Sequence, residues 1–355
     1  MNKTFNGLVV VELASVLAGP SVGMFFAELG AKVIKIENKK TGGDVTRTWK
    51  TKKEIDAQSS SSYYASINWG KQVYFLDYTN DDDYKHLVSL ISEADVVISN
   101  FKKGDDFKFK LDDETLKKIK PNLIIAKING FGADNDKVAY DVVLQAETGF
   151  MSMNGTKASG PLKMPVAFID VLAAHQLKEG ILVALLKKYK TNKGSVVEVS
   201  LFDAAIASLV NQASNYLQNE EIPQLIGSLH PNIAPYGETF TTFDGTQIVL
   251  AIGTNAQFYK LCELLNLYEL AQNPDFTTNT LRVNNRTQLF EILNLSISQK
   301  KHSDLCFLLE QNKIPFGTIK NLKQVIDNLE ADKFLKNNDN QLKSIKSSVF
   351  SIKDL

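Results

Sequence analysis

Cysteine is almost missing from this chain. The two present, Cys262 and Cys306, lie far apart in apolar helical patterns, which leaves neither a disulfide framework nor a zinc-ligand spacing. The four histidines, His86, His175, His230 and His302, stand singly, so no metal constellation is expected. Charge of one sign is lacking too, since 40 basic and 40 acidic residues cancel to a formal net charge of 0. Such a chain has no general field for nucleic acid or an anionic membrane, and an anionic ligand must be met by local cations. The longest apolar stretches, such as 181–186, fall far short of the roughly 20 residues that span a bilayer. The opening "MNKTFNGLVVVEL" carries a short β-type run in place of a signal peptide's longer apolar core and cleavage site, so the cytosol is the expected compartment. The spaced glycine triplet of a dinucleotide fingerprint is also missing, which weakens the hint of a ribose-binding acid given by Glu37.

What is present is an ordinary globular balance, with 44% hydrophobic and 23% charged residues. A length of 355 residues exceeds one core's usual size and predicts two domains. Residues 8–14 read as a strand buried on both faces, Pro20 suits a first helical turn and Gly30 a helix end, and a second strand follows at 33–37. Further strands are expected at 73–77, 95–99 and 123–129, with helices near 81–92 and 112–119. This alternation predicts an α/β fold with a doubly wound, Rossmann-like large domain. That domain is expected over 1–218, completed by 325–355, with a proline-rich linker at 219–236 holding Pro223, Pro231 and Pro235. A smaller α+β domain should fill 237–324, with a hairpin around Asp244 and Gly245 and helices near 255–266, 284–297 and 302–312. The tail after about 330, rich in Lys, Asn and Asp, gives no firm pattern.

Composition and spacing nominate one residue for chemistry, Asp170, set after the apolar "VAFI" and before a helix expected over 171–190. Aspartate is equally the residue type of a helix N-cap, which satisfies free backbone amides. Both readings stand at this point.

Several segments, taken in order, resemble the class III CoA-transferases, the group that includes formyl-CoA transferase and carnitine CoA-transferase. They are "VVVELASVLAGPSVGMFFAELGAKVIKIE", "GGDVTRTW", "ISEADVVISNFKKG", "INGFG", "AYDVVLQAETGFMSMNG", "KTNKGSVVEVSLFDA", "HPNIAPYGETFTTFDG" and "TTNTLRVNNR", and the likeness covers about 5–330. It implies that Asp170, in "PVAFIDV", is a covalent nucleophile: a carboxylate attacking a thioester gives a mixed anhydride, and the released CoA thiolate can return to form an enzyme-bound thioester. No permanent cofactor is implied, since coenzyme A enters as part of the acyl-CoA substrate, and the partners are an acyl-CoA donor and a carboxylate acceptor.

By the same resemblance Val16, Leu17 and Ala18 border the CoA chain near the reacting carbon. Asn38, Lys39, Asn68, Lys71, Asn100, Phe101, Lys102, Lys108, Lys137 and Tyr140 take the family's remaining CoA-binding positions, although Asn38 stands where the family often has arginine. Tyr140 and Asp141 match the Tyr-acid pair of transferases, whereas the related acyl-CoA racemases place a histidine there. Leu17 replaces the glutamine of formyl-CoA transferase, which turns the expectation from oxalate toward succinyl-CoA or other dicarboxylates. An interlocked homodimer, with the chain crossing at about 218–236, is also implied. The family's closing "LGEHT"-like segment has no match before Leu355, so a catalytically silent CoA-binding relative stands beside the racemase as an alternative.

Overall fold

Three successive valines send β-branched side chains to both faces of a sheet, and in the computed structural model, which describes residues 4–54, 60–337 and 343–353, they form strand β1 (Val9–Glu12). Pro20 lies in the first turn of helix α1 (Ala18–Glu28), where a missing N–H is no loss. Gly30, at φ 96°, turns the chain into β2 (Lys32–Asn38). The alternation continues through α2 (Ser62–Ile67), β3 (Lys71–Leu76), α3 (Asp81–Glu93), β4 (Val96–Ser99), α4 (Asp105–Lys108), α5 (Asp113–Ile119) and β5 (Ile124–Asn129). After α6 (Asp141–Glu147) and α7 (Phe150–Met153) come a small antiparallel pair, β6 (Gly155–Thr156) and β7 (Gly160–Pro161), then α8 (Phe168–Thr191) and β8 (Ser195–Ser200).

Six of these strands make one parallel sheet in the order β3-β2-β1-β4-β5-β8. Order reverses between β1 and β4, the topological switch point beside which doubly wound sheets bind ligands. Alternate residues of each strand feed opposite faces. Val10, Val33, Val96 and Ile124 pack with Phe26 of α1 and Ile169, Ala173, Leu177 and Ile181 of α8. Val11, Ile34, Val97 and Ile125 pack with Leu87 and Ile91 of α3 and Leu116 of α5. The fold is thus an α/β, Rossmann-like domain joined to a smaller α+β one.

The first compact unit comprises Met1–Met151, Lys163–Glu221 and Glu330–Leu355, the second Ser152–Leu162 and Ile222–Leu329. Within the second, Tyr236–Thr241, Gln247–Ala251 and Phe316–Thr318 form an antiparallel sheet. Its helices Asn255–Leu264, Arg286–Ile297 and His302–Gln311 lie close to the spans expected from periodicity and share a core of Phe240, Ile248, Leu250, Phe258, Leu293 and Leu309. The hairpin 155–161 belongs with this unit, joined by a bridge between Thr156 and Ile226. The tail does take up structure: Leu335–Asn337 pairs antiparallel with Lys343–Ile345. Glu28, at the end of α1, accepts from Ser347 N at 3.0 Å and Ser348 N at 2.8 Å and pairs with Lys336. No helix among the described residues is long and apolar enough to cross a membrane.

Candidate active site

Helix α8 starts three residues earlier than its apolar periodicity suggested, and Asp170 falls inside the first turn rather than ahead of it. The N-cap position belongs to Ala167, whose side chain cannot cap. The cap reading of Asp170 is therefore corrected. The free amides are met by Asp141, the first residue of α6, whose Oδ1 accepts from Ile169 N at 2.7 Å and from Asp170 N at 3.4 Å. Asp141 Oδ2 accepts in turn from Gln145 Nε2 at 2.6 Å. Gln145 Oε1 takes the Met164 amide at 2.7 Å, so the segment entering α8 is fixed as well.

Asp170 itself is buried, at 7% exposure, and no hydrogen bond to its carboxylate occurs among the described residues. Burial first, and the neighbouring Asp141 second, push its carboxyl up to about 7. A carboxylate with little water and few donors around it is a stronger nucleophile than a solvated one. Tyr63 lies within the electrostatic reach of Asp170 and Asp141, and burial, followed by those two charges, pushes its phenol up to about 12. Its hydroxyl is thus a neutral donor throughout the working pH range. Trp49 packs edge-on against it, ring centroids 5.2 Å apart.

Behind the strand tips runs a buried chain of charges. Glu12 of β1 and Lys35 of β2 are register neighbours and meet at 3.0 Å with both side chains wholly buried. Lys71 adds a second cation at 2.8 Å from Glu12, and Asp44 a second anion at 3.1 Å from Lys35. Two acids and two bases balance, the condition under which buried charge is tolerable. A Cβ on Gly23 of α1 would lie 1.8 Å from Glu12 Oε2, so only glycine leaves room for this carboxylate.

The network fixes the turn between β1 and α1. Lys35 Nζ donates to Ala14 O at 2.8 Å. Asn100, at the end of β4, accepts from Ser15 N at 3.1 Å and donates to Ser15 O at 2.8 Å, bridging the switch point. Asp44 accepts from Val16 N at 3.4 Å and 3.3 Å through its two oxygens. Leu17 then precedes α1 as its N-cap, and Ala18 is the helix's first residue.

The other nominated residues divide into two groups. Lys71, expected on a CoA phosphate, has a fully buried side chain, and its ammonium donates to Glu12, to Pro20 O at 2.8 Å and to Asn68 Oδ1 at 2.9 Å. All three protons are used, so the phosphate role is corrected to a structural one. Burial presses this ammonium down to about 7. Asn68 is likewise turned inward, its amide donating to Tyr64 O at 3.0 Å. Phe101 sits in an aromatic cluster with Tyr78 and Phe109. Lys39, Lys102 and Lys108 are exposed. Lys137 pairs with Glu147 and lies 4.7 Å over the Phe131 ring. Asn38 caps a short 3₁₀ turn by accepting from Lys40 N at 2.9 Å, and the Tyr140 side chain is exposed beside α6.

Glu12, Lys35, Asp44 and Tyr63 were not singled out from the sequence. Charged residues inside otherwise apolar strands, Glu12 in "VVVEL" and Lys35 in "VIKIE", were the available signal, since such strands are buried on both faces.

The model of CoA-transferase family III matches residues 5–351. A succinate–glutarate CoA-transferase from Agrobacterium fabrum is 35% identical over 326 residues, covering 90% of this chain and 81% of that protein. A human succinyl-CoA:glutarate CoA-transferase is 33% identical, covering 91% and 73%. The crystal structure of a CAIB/BAIF family protein from Brucella suis superposes with a TM-score of 0.86 at 36% identity, covering 99% of this chain and 93% of that one.

Proposed function

The chain belongs to CoA-transferase family III, and from that premise we propose that it moves CoA between dicarboxylic acids, with succinyl-CoA as donor and Asp170 as the covalent nucleophile. The observation that carries the reading is Asp170 itself, a buried carboxylate at the start of α8 with no hydrogen bond to it among the described residues. The dicarboxylate assignment draws on relatives named for succinate, glutarate and mesaconate.

In the first step an Asp170 oxygen bonds to the thioester carbon and the C–S bond breaks, leaving a mixed anhydride and CoA thiolate. The thiolate then attacks the aspartyl carbonyl, expelling the donor acid as its carboxylate and leaving an aspartyl-CoA thioester. The acceptor carboxylate repeats both steps in reverse and regenerates Asp170. Each step exchanges one acyl bond for another without net proton uptake, and exclusion of water protects both intermediates from hydrolysis. Incubating the protein with succinyl-CoA and glutarate, with mass spectrometry for glutaryl-CoA and for an adduct on the peptide holding Asp170, tests the reading. An adduct elsewhere, or none with turnover intact, would overturn it.

Because the nucleophile must be ionised, kcat/KM is expected to rise with pH through about 7, where Asp170 gives up its proton. Asp141→Asn removes one of the two causes that hold this carboxyl high, and the acid limb should move to lower pH. The cap survives through the Asn carbonyl. An unmoved limb in a folded variant would show that Asp141 does not tune the nucleophile.

The remaining CoA contacts are assigned to Lys39, Lys102, Lys108, Lys137 and Tyr140. Lys102→Ala should raise KM for the acyl-CoA about five- to tenfold with kcat nearly unchanged, because a remote phosphate contact acts alike on ground and transition states. Loss of kcat at constant KM would contradict that role.

The apolar stripe of α8, with Val183 at 68%, Leu186 at 56% and Tyr189 at 89% exposure, supports covering by a second copy of the chain in a homodimer. Sedimentation at micromolar protein should give twice the mass of the monomer, and a monomer would count against it.

A further inference from the structure

Val16 has φ 73°. For a β-branched residue this left-handed conformation is a true outlier, and it persists only where surroundings over-determine it. The surroundings here are specific. Ala14 O is held by Lys35, both polar groups of Ser15 by Asn100, and Val16 N by Asp44. Three consecutive residues of one turn are pinned by three different elements: β2, the end of β4, and the 3₁₀ segment that Asp44 caps.

Asp44 is the member whose placement is itself most constrained. It is 3% exposed, is paired with Lys35, and accepts from Thr46 N at 3.0 Å and Thr46 Oγ1 at 2.7 Å. Its own amide donates to Glu37 Oε2 at 2.9 Å. Glu37 is anchored by Arg47 at 2.7 Å and 2.8 Å and by the Tyr64 hydroxyl at 2.6 Å. The carboxylate therefore cannot follow the turn if the turn relaxes, and the strain at Val16 is held by a rigid partner.

We propose that Asp44 is a positioning residue for the transfer reaction: through the Val16 amide it holds the β1–α1 turn in a strained conformation that sets Leu17 and Ala18 against the reacting thioester. The inference rests on the functional reading above and on the family resemblance, by which that turn borders the reacting carbon. Asp44 is buried and reaches the turn through the backbone amide of Val16 and through its pair with Lys35. Its effect belongs to kcat, because misplacement of a site by about 1 Å can cost on the order of 10²-fold in rate while remote binding of the coenzyme is untouched.

The test uses the full chain with succinyl-CoA and glutarate, reading kcat, KM, the rate of Asp170 adduct formation and the melting temperature. Asp44→Asn keeps an acceptor for Val16 N but loses the charge that Lys35 fixes. The expected result is a kcat loss of about 100-fold, KM within about twofold and an equally slowed adduct, in a protein that melts cooperatively. Val16→Gly is the independent arm, since glycine adopts φ 73° without strain and frees the turn to move. It should lower kcat about tenfold, a smaller effect than full misplacement, with a melting temperature no lower than that of the parent. A folded Asp44→Asn with parental kcat, or Val16→Gly with parental kcat, would overturn the proposal. Should Asp44→Asn fail to fold, the Val16→Gly result decides alone. Absence of turnover and adduct in the unsubstituted protein would instead sink the functional reading, and this inference with it. Turnover there with unaltered variants sinks this inference only.

Discussion

Asp170→Asn is expected to lower CoA transfer by more than about 10⁴-fold, beyond the roughly 10²–10⁴-fold that loss of a general base causes. An amide cannot form the anhydride, and the carboxylate beside it, Asp141, is committed to the amides of α8. Structural damage should be slight because the helix start is capped by Asp141 and not by Asp170. The linkage points the same way. The folded-state pKa is raised to about 7, so between about 4, the ordinary aspartate value, and about 7 the folded protein holds a proton that the unfolded chain has released. That contribution to stability is present below the lower value and lost as pH rises through the upper one. Asn at this site has no such proton, so at pH 8 the variant should be at least as stable as its parent, and its stability should change less across the window. Thermal melting from pH 4 to 8 measures this directly. A variant that retained transfer would return Asp170 to an ordinary buried acid, and one that unfolded at pH 8 would contradict the assigned cap.

Lys35→Met should be the most damaging change away from Asp170. Lys35 is wholly buried between Glu12 and Asp44. Both carboxylates, with burial opposing them, hold its ammonium above the ordinary lysine range. Removing it leaves Asp44 without an ion-pair partner among the described residues and Glu12 with Lys71 alone. Breaking a buried pair by deleting one member costs about 3–5 kcal/mol, a large share of the stability of a domain. Denaturant unfolding should report a loss of that order, whereas Lys40→Ala should stay within about 0.5 kcal/mol. The Lys40–Asp77 pair is solvent-exposed, with 58% of the lysine side chain in water. Equal effects for the two would show that the buried chain of charges carries no special weight. The predicted CoA role of Lys71 fails for the same structural reason: an ammonium with three internal acceptors has nothing left for a phosphate.

Much of the architecture could be read from residue order, because the strands β1, β2 and β4 are apolar on both faces and their helices carry clear punctuation at Pro20, Gly30 and the acidic start of α3. Boundaries failed where a tertiary partner replaced a local signal. Helix α8 begins at Phe168 because Asp141 caps it from another element, and nothing in "PVAFIDV" records that. The short strand Phe316–Thr318 escaped notice because three residues show no periodicity, and its place depends on pairing with Gln247–Ala251. For the site, the resemblance supplied Asp170 and the turn Val16–Ala18, while pattern alone favoured reading Asp170 as a helix cap. The network of Glu12, Lys35, Asp44 and Lys71 joins residues from three strands and a loop, and only the register that sets Glu12 beside Lys35 brings them together.

The borrowed cap on α8 makes the character of the proposed nucleophile a property of tertiary docking. Ile169 N is tied to a carboxylate 28 positions earlier in the chain. If the segment around Asp141 lifts away, the Ile169 amide loses its anchor among the described residues and Asp170 loses the neighbour that helps raise its pKa. Water then reaches the carboxyl, and it reverts to an ordinary surface acid. A partly opened molecule would in this way disarm itself before it could hydrolyse acyl-CoA. Hydrogen exchange at the Ile169 amide should follow the opening of the 141 segment rather than fraying of the helix, and its rate would count how often the site is out of service.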